Sequence, residues 1–441
     1  MKIFIAIFLG IFAYFLSLQT FSETQSILIG LLVLLVALWT NEGFHLGYVS
    51  LLPLILFPTF GVLEFSEVVP NYSKTIIFLF MGGFLLAMGL QKSGTHKKIA
   101  NIVLGIFPKS FVGVLYALSI TSGLMSGILS NTTVTILLVP IALYLSEKPE
   151  IQFRLVLAVA YGATIGGILT PIGTPPNLIF LGFAEEYGLQ TPSFFEWIFN
   201  LLPLMIPMFL IMPLFLMIGV KNFQFSDEVG NDKKFNSEQK KVVAILLSLV
   251  FLLFLNSPIP PIYSGLGLNE KMLILGAGLL LFVPKVEILD WDDMKNFPYA
   301  IIFLFGASFS IATAFSKTGL ALSITEKISF FAQFPIIFML LAVLTLIIFA
   351  TEITSNTALI SIALPVIYTF LTQNGIENVE MILFAITIAS SYAFMLPIAT
   401  APNAIAVSTG VVKISKMAKI GFFLNIIGLF LLLFVAKFIW M

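Results

Sequence analysis

The chain has 441 residues, of which 59% are hydrophobic and 10% charged, with a mean hydropathy of +1.07. Soluble domains carry about 25% charged residues, so the composition excludes a soluble globular protein and indicates an integral membrane protein. The 22 basic and 22 acidic side chains cancel, which leaves no basic surface for nucleic acid, and without cysteine there is no disulfide frame, thiolate nucleophile or cysteine-zinc cluster.

Apolar runs of about 20 residues, the length that crosses a ~30 Å hydrocarbon core as helix, recur from end to end. The first, 3–19, lies behind Lys2 and has the charged start and apolar middle of a signal peptide. No small-x-small cleavage site follows it and another apolar run begins at Ile27, so it reads as a retained span. Further spans are predicted at 26–41, 44–62, 75–92, 154–184, 198–219, 240–256, 268–283, 299–316, 381–410 and 418–439, which makes about 11 crossings. The runs are continuous rather than alternating, which excludes a barrel. Two more stretches, 112–144 and 334–368, are too long for one helix and hold Ser, Asn and Thr at their centres. Each reads as a re-entrant hairpin, because polar backbone at membrane depth is tolerated only against protein or a water-filled cavity. The expected fold is therefore an all-α polytopic membrane protein.

With the N-terminus on the cytoplasmic side of the cell (inner or plasma) membrane, basic segments such as Lys92–Lys98, Lys148–Arg154 and Lys413–Lys419 fall inside. The outside segments are rich in acid, as at Glu64, Glu67, Glu185, Glu186, Glu377 and Glu380. Lys74, Lys317 and Lys327 are the main exceptions. The polar stretch 221–241 then links two membrane halves on the cytoplasmic side.

The second half repeats the first. Ile76-Ile77-Phe78-Leu79-Phe80 returns as Ile301-Ile302-Phe303-Leu304-Phe305, an offset of 225 that also matches Lys92 to Lys317, Gly94 to Gly319 and Pro140 to Pro365. At the same offset Ser130-Asn131-Thr132 falls on Ser355-Asn356-Thr357. One residue of slippage later, Pro171-Ile172-Gly173-Thr174-Pro175-Pro176-Asn177 matches Pro397-Ile398-Ala399-Thr400-Ala401-Pro402-Asn403. If the first hairpin does not cross, the chain traverses the bilayer five times between the two IIFLF helices, so the copies point opposite ways. Inverted repeats are an architecture of secondary transporters, which place ligand sites near the midplane on discontinuous helices.

The repeated motifs carry matching chemistry. Ser-Asn-Thr at a hairpin tip offers hydroxyls and an amide without formal charge; the oxygens suit a hard cation, and the donors at a helix N-terminus suit a carboxylate. The prolines deny helical hydrogen bonds, so 154–184 and 381–410 should each break and free carbonyls as ligands. Isolated Ser, Thr and Asn more often glue transmembrane helices together, and a lone proline motif is more often a kink. Their duplication in matched context favours the ligand-binding reading.

These signatures, Gly173-Thr174-Pro175-Pro176-Asn177 and Met395-Leu396-Pro397-Ile398-Ala399-Thr400-Ala401-Pro402-Asn403 with the two Ser-Asn-Thr tripeptides, resemble those of the divalent anion/sodium symporters. That family includes the sodium-dicarboxylate and sodium-citrate cotransporters. The resemblance covers essentially the whole chain and implies a homodimer whose protomers have 11 spans and two hairpins, with a transport domain moving as an elevator against a scaffold. It divides the chain into 1–111 (mainly scaffold), 112–220 (first hairpin and broken helix), the linker 221–241, 242–333 (second scaffold part) and 334–441 (second hairpin and broken helix). It implies one sodium site at Ser126, Ser130, Asn131 and Gly173. A second falls at Thr351, Thr354, Asn356 and Ala399, with backbone carbonyls serving at Thr354 and Ala399. Substrate carboxylates would meet Ser130, Asn131, Thr132, Thr174, Ser355, Asn356 and Thr357. Ala401 stands where the family has proline, which removes a contact next to the substrate.

Arg154 is the only arginine and sits at a predicted cytoplasmic end, so no guanidinium is available to clamp a carboxylate at the midplane. Two or more sodium ions would then neutralise a dianion and travel with it. Glu352, inside an apolar stretch, is a functional candidate, as a proton carrier or, more commonly for such acids, as a paired group. Glu42 and His45 are expected at the interface and His96 in solvent, and the phenylalanines are expected chiefly in lipid contact or packing. No HExxH, GxSxG or P-loop pattern is present, so neither hydrolysis nor ATP drive is supported. The expected function is sodium symport of C4-dicarboxylates such as succinate, malate and fumarate. Its rivals are a sodium-independent exchanger of the same fold, a citrate or sulfate carrier, an anion channel and a membrane-embedded enzyme.

Overall fold

In a computed structural model the chain is described at residues 1–41, 44–108, 110–220, 234–258 and 262–441. Glu42, Lys109 and the 221–233 part of the predicted linker lie outside these residues. The described chain is helical, with no strand among the described residues. Six of the described helices are long and apolar enough to cross a membrane, among them Thr75–Lys92, Phe194–Met217, Tyr299–Lys317 and Ile414–Val435 within their continuous segments. The predicted 44–62 run is instead two short helices, Leu46–Leu51 and Pro53–Thr59, divided where Pro53 removes a backbone donor.

Both long polar-centred stretches are helical hairpins. Phe111–Ser126 turns through four residues into Asn131–Tyr144, and Ile336–Thr351 turns through four into Asn356–Gln373. Both proline-motif helices are broken. Pro149–Gly167 stops and the chain restarts at Pro175–Glu186; Val379–Ala389 stops and restarts at Ala401–Ser408. Pro175, Pro176 and Pro402 lie in the first turn of the restarted halves, where no intrahelical donor is needed, so they begin a helix rather than interrupt one, while Pro171 and Pro397 lie in the breaks themselves.

Small residues let these pieces approach closely. Gly162 and Gly166, four apart, face Ser119 and Gly123, four apart on the facing hairpin arm, and a Cβ at Gly162 would lie 2.5 Å from the Ser119 carbonyl oxygen. Backbones in van der Waals contact are the means by which helices associate where there is no hydrophobic drive.

The two copies exchange contacts as a two-fold relation requires. Ala401–Ser408 of the second copy packs on Asn131–Tyr144 and Pro149–Gly167 of the first; Pro175–Glu186 of the first packs on Asn356–Gln373 and Val379–Ala389 of the second. Charges repeat the pattern. Lys92 bonds Asp290 and Asp293 at 2.9 and 2.6 Å, and its counterpart Lys317 bonds Glu67 at 2.9 Å. Beyond each lysine a glycine with φ of +69°, Gly94 or Gly319, turns the chain into a short amphipathic helix, Thr95–Leu104 or Leu320–Ile328. The Gln239 amide donates to the Ser93 carbonyl at one of these corners and the Gln25 amide to the Thr318 carbonyl at the other. The lysines that break the charge rule are each engaged: Lys74 with Glu186 at 2.6 Å, Lys317 with Glu67, and Lys327 over the Phe21 ring.

Two histidines are placed by their backbone contacts. His45 caps Leu46–Leu51 by accepting from the Gly47 amide. His96, expected in solvent, is buried, with Nδ1 donating to the Leu90 carbonyl at 2.6 Å. The turn at Gly94 folds its helix back over the end of Thr75–Lys92, which local polarity does not reveal.

Candidate substrate and cation sites

The hairpin tips and helix breaks meet around one cavity of about 280 Å³. Both tripeptides line it, Ser130-Asn131-Thr132 from one copy and Ser355-Asn356-Thr357 from the other, with Gly173-Thr174 and Ala399-Thr400-Ala401 from the breaks. No lining side chain is charged. Part of the lining is apolar: Phe80 and Phe305, equivalent positions of the IIFLF repeat, stack at 4.0 Å with 22° between planes, and Phe84 lines the cavity with them. These rings were expected only as packing or lipid-facing residues.

Four helices begin at this cavity. Ser130, Thr174, Ser355 and Thr400 are the N-caps of Asn131–Tyr144, Pro175–Glu186, Asn356–Gln373 and Ala401–Ser408. All four caps line it. A helix N-terminus presents unpaired N–H groups and roughly half a positive charge. Their convergence gives the cavity the positive character that suits an anion without a basic side chain.

Behind the caps, helix C-termini converge on two uncharged oxygen clusters. At the end of Phe111–Ser126 the Ser126 hydroxyl donates to Asn131 Oδ1 at 2.5 Å. A Cβ on Gly173 would lie 3.0 Å from the Ser126 carbonyl oxygen, and one on Gly167, the last residue of Pro149–Gly167, 2.5 Å from Asn131 Oδ1. The second cluster repeats the contact at the same offset. Thr351 Oγ1 lies 2.5 Å from Asn356 Oδ1 and 2.6 Å from the Ser390 carbonyl oxygen at the end of Val379–Ala389. One hydroxyl proton serves only one of those two acceptors. Ser126 and Thr351 are fully buried. Uncharged hydroxyl, amide and carbonyl oxygens at negative helix ends are ligands for a hard cation; among the described residues no group of His, Cys, Asp or Glu is gathered for another kind of metal.

Of the predicted cation ligands, Ser126, Asn131 and Gly173 come together, as do Thr351 and Asn356, and Ala399 lines the same cavity as Asn356. Ser130 and Thr354 turn their hydroxyls elsewhere. Ser130 donates to Thr133 Oγ1 at 2.8 Å while its carbonyl accepts from the Val134 N–H at 3.1 Å, and Thr354 donates to the Ala350 carbonyl at 2.9 Å; at Thr354 the backbone carbonyl is the group that the resemblance implies. Every predicted substrate contact, Ala401 included, lines the cavity. Arg154 is elsewhere, donating to the Glu150 and Ile218 carbonyls.

Side chains from the motifs themselves and from distant parts of the chain bond to carbonyls at the breaks. The Trp197 indole donates to the Ile168 carbonyl at 3.0 Å and the Asn177 amide to the Thr170 carbonyl at 2.9 Å. Thr170 in turn donates to the Gly127 carbonyl at the first hairpin tip. In the second copy the Asn403 amide reaches the Ala393 and Leu396 carbonyls at 2.9 and 3.0 Å, and Tyr161 donates to the Phe394 carbonyl at 2.9 Å. Several carbonyls freed by the breaks are thus already occupied rather than left as ligands. Glu352 accepts from the backbone N–H groups of Phe394, Met395 and Leu396 and from the Asn425 amide, all between 2.7 and 3.0 Å. It anchors the second break to the second hairpin tip. Gly167, Thr400, Trp197, Thr170, Tyr161 and Asn425 were not singled out from the sequence. For Thr400 the repeat held the signal, since it matches Thr174; for the others the contacts arise only in the folded chain.

The SdcS protein of Staphylococcus saprophyticus, named a sodium-dependent dicarboxylate transporter, is 29% identical over 472 aligned residues, which cover 99% of this chain and 91% of that protein. Its namesake in Staphylococcus aureus strain USA300 is 27% identical, with the same shares covered. Among solved structures, the fold is similar to MtrF of Neisseria gonorrhoeae, described in a class of antimetabolite efflux pumps (TM-score 0.60, 13% identity, 96% of each chain). It is also similar to the YdaH transporter of Alcanivorax borkumensis (TM-score 0.56, 16% identity, 85% of this chain and 88% of that one). A sequence model of the citrate transporter (CitMHS) family matches residues 33–389, a span that contains both hairpins and the first break. The chain belongs to the citrate transporter family.

Proposed function

We propose that the chain is a sodium-coupled symporter of divalent organic anions, with C4-dicarboxylates such as succinate, malate and fumarate as its substrates. The observation that carries this is the meeting of four helix N-caps, Ser130, Thr174, Ser355 and Thr400, on a cavity with no charged side chain. Helix ends stabilise an anion partially, each by about 0.3–2 kcal/mol. A dianion in that setting needs further positive charge, and the oxygen clusters behind the caps supply places for sodium. Asn131 and Asn356 join the two roles. When Asn131 Oδ1 faces the cluster around Ser126, its Nδ2 is left to donate toward a substrate carboxylate; Asn356 does the same beside Thr351. Sodium binding therefore fixes the amides that receive the anion, and the dianion lowers the cost of holding the cations. The volume is below the ~300–1,000 Å³ of ordinary ligand pockets and suits a small diacid. Two relatives named for sodium and dicarboxylate agree with the reading.

In the proposed cycle the hairpins and broken helices, 112–220 and 334–441, move as an elevator domain against 1–111 and 242–333, within a homodimer. Empty and fully loaded forms move; partly loaded forms, holding unbalanced charge, do not. The test is uptake of radiolabelled succinate by proteoliposomes, with an inward sodium gradient or with choline in its place, competed by citrate and by sulfate. Saturable uptake that needs sodium and yields to unlabelled succinate is expected. Undiminished uptake in choline overturns the coupling, and displacement by citrate or sulfate alone overturns the substrate.

A further inference from the structure

A second hollow, of about 460 Å³, opens where Pro149–Gly167 and Ile414–Val435 begin and Phe194–Met217 ends. Its rim carries Arg154, Lys416 and Lys419, and its walls are Phe153, Phe215 and Phe423. Arg154 and Lys416 face the same Phe153 ring, at 5.8 and 5.9 Å from its centroid, and Phe215 and Phe423 stack at 6.2 Å. Arg154 is held in place by donating to the Glu150 and Ile218 carbonyls, bonds that orient the guanidinium without neutralising it. None of the three cations has a carboxylate within ion-pairing distance among the described residues; Glu150, one turn before Arg154, is exposed and acts on it only through space. Two helix N-termini add partial positive charge at the same level, and at the one helix C-terminus there, that of Phe194–Met217, the Ile218 carbonyl is covered by Arg154.

The apolar walls run onto outward surface. Phe423 is 46% exposed and Ile218 68% exposed, on a chain whose outer surface faces lipid. A soluble anion would satisfy the cations and leave those walls bare. We infer that this hollow binds an anionic phospholipid, its phosphate among Arg154, Lys416 and Lys419 and the start of its acyl chains against Phe215 and Phe423. A basic pocket between transmembrane helices at the interface is suited to such a headgroup. The inference needs only that the chain lies in a bilayer and does not depend on what it transports.

The test is native mass spectrometry of the full-length protein in detergent. It is titrated with phosphatidylglycerol, with phosphatidylcholine of the same chains, and with glycerophosphoglycerol, the headgroup without chains. Phosphatidylglycerol should be retained over the other two, and K416Q/K419Q, changing two exposed lysines, should weaken that retention roughly tenfold. The charge-matched control K234Q/K240Q, at the start of a different helix, should leave it unchanged. Equal retention of phosphatidylcholine overturns the inference, as does equally tight binding of the chain-free headgroup. So does equal loss in both double variants, which would mean general surface charge, and so does full retention by a K416Q/K419Q protein with the wild-type unfolding temperature.

Discussion

Replacing Glu352 with glutamine should disable transport by loosening the second helix break. The carboxylate receives four donors, with Phe394 N at 2.8 Å, Met395 N at 2.9 Å and Asn425 Nδ2 at 2.7 Å on Oε1 and Leu396 N at 3.0 Å on Oε2. Glutamine can keep its oxygen toward the first three, but its NH2 then faces the Leu396 N–H, donor against donor. An unmet buried donor costs about 1–3 kcal/mol, and each remaining contact falls from a charge-assisted to a neutral bond, a loss of about 0.5–1.5 kcal/mol. Together these amount to about 3–7 kcal/mol, enough to reduce the ordered state of the break a hundredfold or more. Ala399, Thr400 and Ala401 follow that segment after Pro397 and Ile398 and line the cavity. Sodium-driven succinate uptake in proteoliposomes and thermal unfolding in detergent should therefore both fall in E352Q, and E352D, one methylene shorter, should not restore them. A proton-carrying role predicts instead that E352Q still transports with a flattened pH dependence. Wild-type uptake and an unchanged unfolding temperature in E352Q would refute the anchoring argument.

Asn131→Ala and Asn356→Ala should each reduce sodium-dependent uptake at least tenfold while leaving the unfolding temperature within a few degrees, since in the proposed function each amide joins an oxygen cluster to the cavity; wild-type rates in either variant would remove that residue from the site. Gly167→Ala should raise the sodium concentration needed for half-maximal uptake, because the new Cβ would stand 2.5 Å from Asn131 Oδ1 and push the amide aside; an unchanged sodium dependence would mean that the amide tolerates the move. Burial holds the His96 imidazole below its usual range, with Lys97 adding to the shift and the Leu90 carbonyl opposing it. A value depressed by folding gives stability that is complete above the unfolded value of about 6.5 and is lost as pH falls below it. Hydrogen exchange in Thr95–Leu104, corrected for intrinsic rate, should thus quicken between pH 7.5 and 5.5, and constant protection would contradict this.

The features legible in the sequence are those that repeat or that depend on neighbours in the chain. The 225-residue offset locates both hairpins and both breaks, because Ser-Asn-Thr and the proline motifs mark helix starts by local chemistry alone. It also pairs Thr174 with Thr400 as N-caps of equivalent half-helices. What stays hidden depends on which segments meet. The Trp197, Tyr161 and Asn425 side chains act on backbone or carboxylate groups 29, 233 and 73 residues away. Nothing in their local pattern separates them from ordinary packing residues. Phe80 and Phe305 are likewise unremarkable among 46 phenylalanines until the two copies fold face to face. His96 misleads for the converse reason, since its basic neighbours suggest solvent while the turn at Gly94 tucks it against Leu90.

The repeat relation separates what the two copies must share from what each solves alone. The hydroxyl-to-amide geometry behind the caps is shared: Ser126 with Asn131, and Thr351 with Asn356, each five residues apart and at 2.5 Å. The supports differ. Position 127 at the first tip is glycine, and its carbonyl accepts from Thr170; the equivalent position at the second tip is Glu352, whose carboxylate gathers three backbone N–H groups. The first break is therefore tied to its hairpin by a neutral bond and the second by charge-assisted ones, which are roughly twice as strong. Placing the acid beside the break rather than in the cavity keeps its negative charge committed to backbone donors. The cavity wall stays neutral, so that no fixed carboxylate opposes the partial positive charge of the four N-caps that line it.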